Sequence, residues 1–138
     1  MQSIVSGPWD LPNRQAGVGR LSNRCCYLIS LRYAGKDISC SEGLFFITFT
    51  CYRWQALIEQ TDSYDLVYGW FDYLKKQNHR IAGYVIMPNH LHVLIDFAAT
   101  VKSINAIIGN GKRFMAYEII KRLQQAGKTD VLLMLQNG

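Results

Sequence analysis

Three stretches of the chain are apolar and rich in β-branched or aromatic residues, and polar positions alternate with apolar ones in the first and the last of them. Such patterns predict β-strands. The three predicted strands are LFFITFTCYRW at 44–54, RIAGYVIM at 80–87 and HLHVLIDF at 90–97. Since only Pro88 and Asn89 separate the last two, those strands must pair as an antiparallel hairpin.

Apolar residues recur at every third or fourth position in three other stretches after residue 60, which predicts helices with one buried stripe. The predicted helices are residues 61–79, 100–127 and 130–136. Side chains that can cap a helix, and glycines that can end one, mark the boundaries. The expected end residues are Asp62 for the first helix, and Thr100 or Ser103 with Gly127 for the second.

The predicted order of strand, helix, strand, strand and helix is typical of an α+β fold. We expect a ferredoxin-like antiparallel sheet with helices packed on one face. Three strands make a thin sheet, so we expect the fold to be incomplete, with a fourth strand supplied by the N-terminal segment or by another chain. Residues 1–42 are interrupted by Gly and Pro and predict a weakly ordered extension, in which only CCYLISLRY could form a strand. Residues 43–138 form the predicted functional domain.

Length and composition place the chain among single-domain proteins. At 138 residues and 49% apolar content it can bury one core. No apolar run approaches the roughly 20 residues of a membrane span. The N-terminus has no basic start followed by an apolar stretch, so we expect a cytoplasmic protein without membrane contact. The four cysteines form no C-x-x-C pair and do not predict a zinc or redox site.

The excess positive charge is confined to one segment. The formal net charge is +5, and residues 101–128 contain six Lys or Arg against a single Glu. A basic surface on one helix is typical of nucleic-acid binding, and it is as common on a solvated helix face. The candidate DNA contacts are Lys112, Arg113, Lys121 and Arg122.

Two histidines occupy the last predicted strand two residues apart. Side chains on a strand alternate between faces, so His90 and His92 point the same way with Cα atoms about 6.6 Å apart. Two imidazoles can hold one metal ion but cannot complete its coordination. Asp96 lies about 13 Å beyond His92 along the strand, and His79 could reach only if the strand order permits. Such a pair is also common without metal, as hydrogen-bonded or partly exposed histidines.

The strings GYVIMPNHLHVLI and SINAIIGNGKRFMAYEIIKRL, preceded by FFITFTCYRW, resemble the small tyrosine transposases of the HUH endonuclease superfamily. The nearer group is the REP-associated transposases and related small insertion-sequence transposases. The resemblance spans about residues 43–123 and implies single-strand DNA cleavage and rejoining in DNA transposition. It implies that His90 and His92 hold Mg²⁺ or Mn²⁺ against the scissile phosphate, that a tyrosine attacks it, and that the enzyme binds single-stranded or hairpin DNA as a homodimer.

In those relatives the nucleophilic tyrosine and a third metal ligand lie on a later helix, so we expect this chain to be truncated before them. Within the chain, Tyr117 is the candidate nucleophile, although a helix tyrosine beside Met115 and Ile120 is also typical of a core position. Two alternatives stay open. One is a catalytically inactive DNA-binding fragment of such a transposase, and the other is a metal-dependent phosphoesterase.

Overall fold

A four-stranded antiparallel sheet carries four helices in the computed structural model, which describes the backbone of residues 29–33 and all of residues 42–137. The strands are β1 Ile29–Tyr33, β2 Gly43–Cys51, β3 Arg80–Met87 and β4 His90–Phe97. The helices are α1 Leu57–Gln60, α2 Tyr64–Lys76, α3 Ile104–Gln125 and α4 Thr129–Asn137. The predicted α+β fold is confirmed. No helix within these ranges is long and apolar enough to cross a membrane.

The strands are ordered β1-β2-β4-β3, and every neighbouring pair is antiparallel. The three predicted strands are all present. The fourth is β1, which pairs with β2 from Ile29 opposite Cys51 to Tyr33 opposite Ile47. The N-terminal segment, one of the two expected sources, therefore supplies the extra strand. The rest of the expected extension, residues 1–28 and 34–41, lies outside the described residues.

The hairpin of β3 and β4 has the predicted boundaries, whereas β2 is shorter than predicted. It ends at Cys51, and the chain then forms a 3₁₀ turn at Tyr52–Trp54. The hairpin turn is tied to this region by two backbone bonds: the Cys51 amide donates to the Asn89 carbonyl at 2.9 Å, and the Ile58 amide donates to the Pro88 carbonyl at 3.0 Å. The start of β4 is thereby fixed against the end of β2.

The helix ends test three of the predicted boundary residues. Ser103 caps α3, because its Oγ accepts a hydrogen bond from the Ala106 amide at 3.2 Å, and Gly127 follows the helix at φ +64°. Both predictions are confirmed. The prediction for Asp62 is wrong: the cap position of α2 is Ser63, and Asp62 adopts a left-handed φ of 46° in the preceding turn.

The core fills the space between one face of the sheet and the helices, as predicted. Alternate residues of β2 and β4 are buried on this face and meet the apolar stripes of α2 and α3. We call it the closed face. Its buried strand residues are Ile47, Phe49, Cys51, Leu91, Val93, Ile95 and Phe97. The opposite face of the sheet has no helix from the described residues packed on it, and we call it the open face.

Helices α2 and α3 approach closely at Gly111. A Cβ at this position would lie 2.9 Å from Cδ1 of Trp70, and Nε1 and Cε2 of the same indole would be nearer still. Trp70 is fully buried, and its Nε1 has no hydrogen-bond partner within the described part of the chain. The glycine that weakens the helix intrinsically is therefore what lets the indole fit against it.

Candidate functional site

His90 and His92 lie on the open face. In the sheet register His90 stands opposite Thr50 of β2, and His92 stands opposite Thr48. Directly paired residues share a face, so these four side chains form one polar patch. Their strand neighbours Leu91 and Val93 point the other way and are buried. The predicted sharing of one face by the two histidines is confirmed.

The side-chain amide of Asn89 determines which ring nitrogen of His90 carries the hydrogen. The Asn89 amide nitrogen Nδ2 donates to the Trp54 carbonyl oxygen at 3.1 Å, so its oxygen Oδ1 is the atom that faces His90 Nδ1, at 2.7 Å. Because Oδ1 can only accept, Nδ1 must carry the hydrogen. The neutral His90 ring therefore has its lone pair on Nε2, the form in which imidazole binds a metal.

Thr48 and Phe46 position His92. The Thr48 hydroxyl lies 2.9 Å from His92 Nδ1, and a hydroxyl can accept from that nitrogen just as Asn89 does for His90. Phe46 stacks on the imidazole with ring centroids 5.5 Å apart and an angle of 16° between planes. Both Nδ1 atoms are thus engaged with neighbours, which leaves both Nε2 atoms as the available nitrogens.

Four rings follow one another across this part of the open face. Phe46 contacts His92, the two imidazoles lie 4.8 Å apart between centroids, and Trp54 meets His90 edge-on at 5.6 Å. We call Phe46, His92, His90 and Trp54 the aromatic row. Its two ends are exposed, Phe46 by 48% and Trp54 by 63%. The row presents a polar centre between two accessible aromatic side chains.

The donor set of the row fits a divalent ion in part. Two imidazoles bound through Nε2 at about 2.1 Å, with about 90° to 110° between them at the ion, have ring centroids about 4.6 to 5.3 Å apart. The observed 4.8 Å falls in this range. Among the described residues, however, no three His, Cys, Asp or Glu side chains cluster closely enough to form a complete site. The chain offers two ligands on an exposed surface.

The other acidic and histidine candidates lie apart from the pair. Asp96 shares the open face but is bound by Arg80, whose Nη2 lies 2.9 Å from Asp96 Oδ2. His79 is buried beside Phe97 and accepts the Ala98 amide at Nδ1, 3.2 Å away. Burial lowers the pKa of His79 below its ordinary value, which favours the neutral ring. Neither residue joins the aromatic row.

Tyr117 and the basic residues of α3 lie on the other side of the sheet. Helix α3 buries Met115 and Ile119 in the core of the closed face, and Tyr117 packs partly against that core. Lys112 and Arg113 are half-buried on the same helix. The structure therefore does not bring these residues together with the histidines: the sheet separates them.

Arg122 is held within the protein by a network of hydrogen bonds. Its guanidinium binds both carboxylate oxygens of Asp65, at 2.8 and 2.6 Å, and Nη1 also donates to the Asp62 carbonyl at 2.6 Å. Arg122 lowers the pKa of Asp65 below its ordinary value. Lys121 is more exposed and lies 3.7 Å from Glu118. The network joins α3 to the turn before α2, a role that the charge pattern does not reveal.

Cys51 is the cysteine that the structure describes, and it is buried next to the hairpin turn. Burial raises the pKa of its thiol to about 11, so the thiol is protonated and unreactive near neutral pH. Cys51 therefore contributes to the hydrophobic core. Cys25, Cys26 and Cys40 lie outside the described residues.

Sequence reasoning missed four residues of the site: Phe46, Thr48, Trp54 and Asn89. Strand alternation in FFITFT contains a signal for two of them, since Phe46 and Thr48 must face away from Ile47 and Phe49. Which residues they meet across the sheet depends on the strand order and register. Trp54 and Asn89 lie in turns, where alternation gives no direction.

Comparisons with protein-family models, with curated proteins and with solved structures find no match for this chain. The transposase resemblance therefore rests on the quoted strings alone. What the site can do follows from the side chains on the open face.

Proposed function

We propose that this chain is an HUH-type transposase domain that cleaves and rejoins single-stranded or hairpin DNA with the help of Mg²⁺ or Mn²⁺. The observation that carries the proposal is the pair of imidazoles on the open face, 4.8 Å apart between centroids and each hydrogen-bonded at Nδ1. Fixed Nδ1 bonds orient the rings and leave Nε2 for the ion. Action as a homodimer belongs to the same proposal.

In this function His90 and His92 would hold the ion, and Asn89 and Thr48 would keep their rings oriented. A bound divalent ion polarises a phosphoryl oxygen and stabilises the charge that develops during in-line displacement. In the transfer step a tyrosine oxygen loses its proton and attacks phosphorus. The bond to the 3′ oxygen breaks, leaving a 5′-phosphotyrosine and a 3′-hydroxyl.

The position of Tyr117 favours a second candidate function. Since Tyr117 lies on the closed side, it shares no face with His90 and His92. A chain that binds the ion and the DNA strand without forming a covalent bond would need no tyrosine on the open face. The second candidate is therefore a DNA-binding domain of transposase type that is catalytically inactive.

Metal binding is the first test. Titration of the protein with Mn²⁺, followed by electron paramagnetic resonance, should show binding that falls at least about tenfold in the His90→Ala, His92→Ala double variant, because metal affinity depends on the ligands present. His79→Gln is the matched control, since His79 is buried away from the pair. Equal Mn²⁺ binding by the parent and the double variant would overturn the proposed metal site.

Incubation with labelled, hairpin-bearing single-stranded DNA and Mn²⁺ separates the two candidates. A covalent adduct that survives denaturation and disappears in the double histidine variant supports the transposase. Mn²⁺-dependent binding without an adduct supports the inactive domain. If Tyr117→Phe abolished the adduct, the inactive-domain candidate would be wrong and Tyr117 would have to reach the open face. The absence of any DNA binding would contradict both candidates.

A further inference from the structure

The exposed rings at the ends of the aromatic row are unusual side chains to leave in water. Phe46 and Trp54 each present about half or more of their surface to solvent, and each contacts one of the two histidines. The centre of the row is polar, with two imidazoles flanked by Thr48 and Thr50. Covering this surface with an apolar protein segment would bury the imidazole nitrogens without partners, which is unfavourable.

The backbone at Arg53 and Trp54 has an unusual conformation, and the Trp54 indole is exposed. Arg53 and Trp54 adopt left-handed conformations, at φ 49° and 57°, which side chains other than glycine rarely adopt. The Trp54 carbonyl is held by Asn89, the same residue that orients His90. Strain of this kind persists where the surrounding structure fixes it, and it concentrates at functional sites. Trp54 is therefore linked through Asn89 to His90 at the centre of the row.

A positive charge stands at the Trp54 end of the row. Arg53 is exposed, and its guanidinium carbon lies 5.2 Å from the centroid of the Tyr52 ring. Proteins that bind single strands combine a cationic surface, which attracts the phosphates, with flat rings on which the bases stack. The open face here presents a ring, two candidate metal ligands and a second ring, and the exposed Arg53 directly precedes that second ring in the chain.

We propose that Phe46 and Trp54 are base-stacking residues that hold the nucleotides on either side of the phosphate presented to His90 and His92. This inference rests on the proposed function and adds how the strand is placed. The two bases lie on the end rings of the aromatic row and are thereby separated from each other. The phosphate between them meets the histidines. A duplex, whose bases remain stacked on one another, cannot be held in this way.

Binding of a fluorescein-labelled oligothymidylate of about 12 nucleotides, followed by anisotropy with Mn²⁺ present, tests the inference. Phe46→Ala and Trp54→Ala should each weaken binding by about tenfold, the effect of losing one stacked base. Trp54→Phe and Phe46→Tyr, which keep an aromatic ring, should retain affinity within about threefold. The matched control is Leu44→Ala, which removes an exposed aliphatic side chain of the open face opposite Asp96 and should leave affinity unchanged.

Further outcomes distinguish failure of the stacking inference from failure of the proposed function. Parental Mn²⁺ binding in Trp54→Ala, which keeps the backbone carbonyl bound by Asn89, together with weaker oligonucleotide binding, supports stacking over loss of the metal site. Unchanged oligonucleotide binding in both variants would overturn the inference, and so would equal competition by a duplex of the same length. In either case, Mn²⁺-dependent binding by the parent would leave the proposed function standing. If the parent binds no oligonucleotide, the inference and the proposed function fail together.

Discussion

The two faces of the sheet, built from the same strands, have opposite properties. On β4, Leu91 and Val93 are each 1% exposed and belong to the core, while the intervening His92 lies on the open face beside an exposed Phe46. A period of two lets one strand bury one set of side chains in the core and present the other set on the open face. Substitutions of neighbouring residues should therefore have unrelated consequences.

The largest effect is expected from removing a core side chain of β4. Leu91→Ala should lower the free energy of unfolding by about 3 to 4 kcal/mol, because it leaves a cavity against Phe49 and the helices. Leu94→Ala, three residues further on the open face, should cost about 1 kcal/mol or less, since Leu94 is only half-buried. Urea denaturation measures both. Similar losses would show that the open face is packed against another part of the protein in solution.

A smaller loss is expected at the helix contact behind the closed face. Gly111→Ala should destabilise the protein by about 2 to 3 kcal/mol, because the new methyl overlaps the buried Trp70 indole. Gly109→Ala is the control: no atom lies within 4 Å of its added Cβ, so the better helix former should stabilise the protein by about 0.5 to 1 kcal/mol. Thermal melting of the two variants should give shifts of opposite sign. A gain in stability for Gly111→Ala would contradict the close approach of α2 and α3.

The smallest of these effects is expected from Arg122. Arg122→Gln should cost about 1 kcal/mol near neutral pH, because the exposed Asp65 carboxylate keeps access to water, whereas Lys121→Gln should change stability by less than about 0.5 kcal/mol. Asp65 has a lowered pKa in the folded state, so its contribution is present above about pH 4 and is lost as the pH falls through the folded pKa.

The stability difference between the parent and Arg122→Gln should accordingly shrink toward low pH, as measured by urea denaturation at a series of pH values. DNA affinity provides the complementary measurement. Unchanged stability combined with weaker DNA binding in Arg122→Gln would assign this residue to the DNA surface instead of to the link between α3 and the turn.

Local sequence patterns predict the strand limits and helix ends that neighbouring residues determine. The limits of β3 and β4 follow from alternation and the short turn between them, and Ser103 and Gly127 were identified as helix ends by their chemistry. The early end of β2 was missed because TCYRW is as rich in strand-forming residues as the strand itself. The left-handed turn at Arg53 and Trp54, which follows β2, is bound by Asn89, a residue distant in sequence.

The sequence predicts the histidine pair of the site but not its partners, because alternation along a strand is local whereas strand register is not. Alternation was enough to place His90 and His92 on one face and Leu91 on the other. Since Leu91 packs against the helices, the same reasoning already separates the histidines from α3, although the two are neighbours in sequence. Partners such as Thr48 and Phe46 need the register of β2 against β4, and the salt bridge of Arg122 needs the packing of α3 on α2.

The side-chain amide of Asn89 connects the Trp54 turn to the His90 ring. Its nitrogen is bound to the backbone of Trp54 and its oxygen to the ring of His90, so the amide cannot turn over without losing both bonds. A displacement of the Trp54 turn would remove the bond that holds this amide in place, and the hydrogen bond to His90 Nδ1 would lose that support. By thermodynamic reciprocity, whatever holds the His90 ring in this orientation favours the observed turn by the same free energy. Asn89 thus links the conformation of the Trp54 turn to the orientation of the His90 ring.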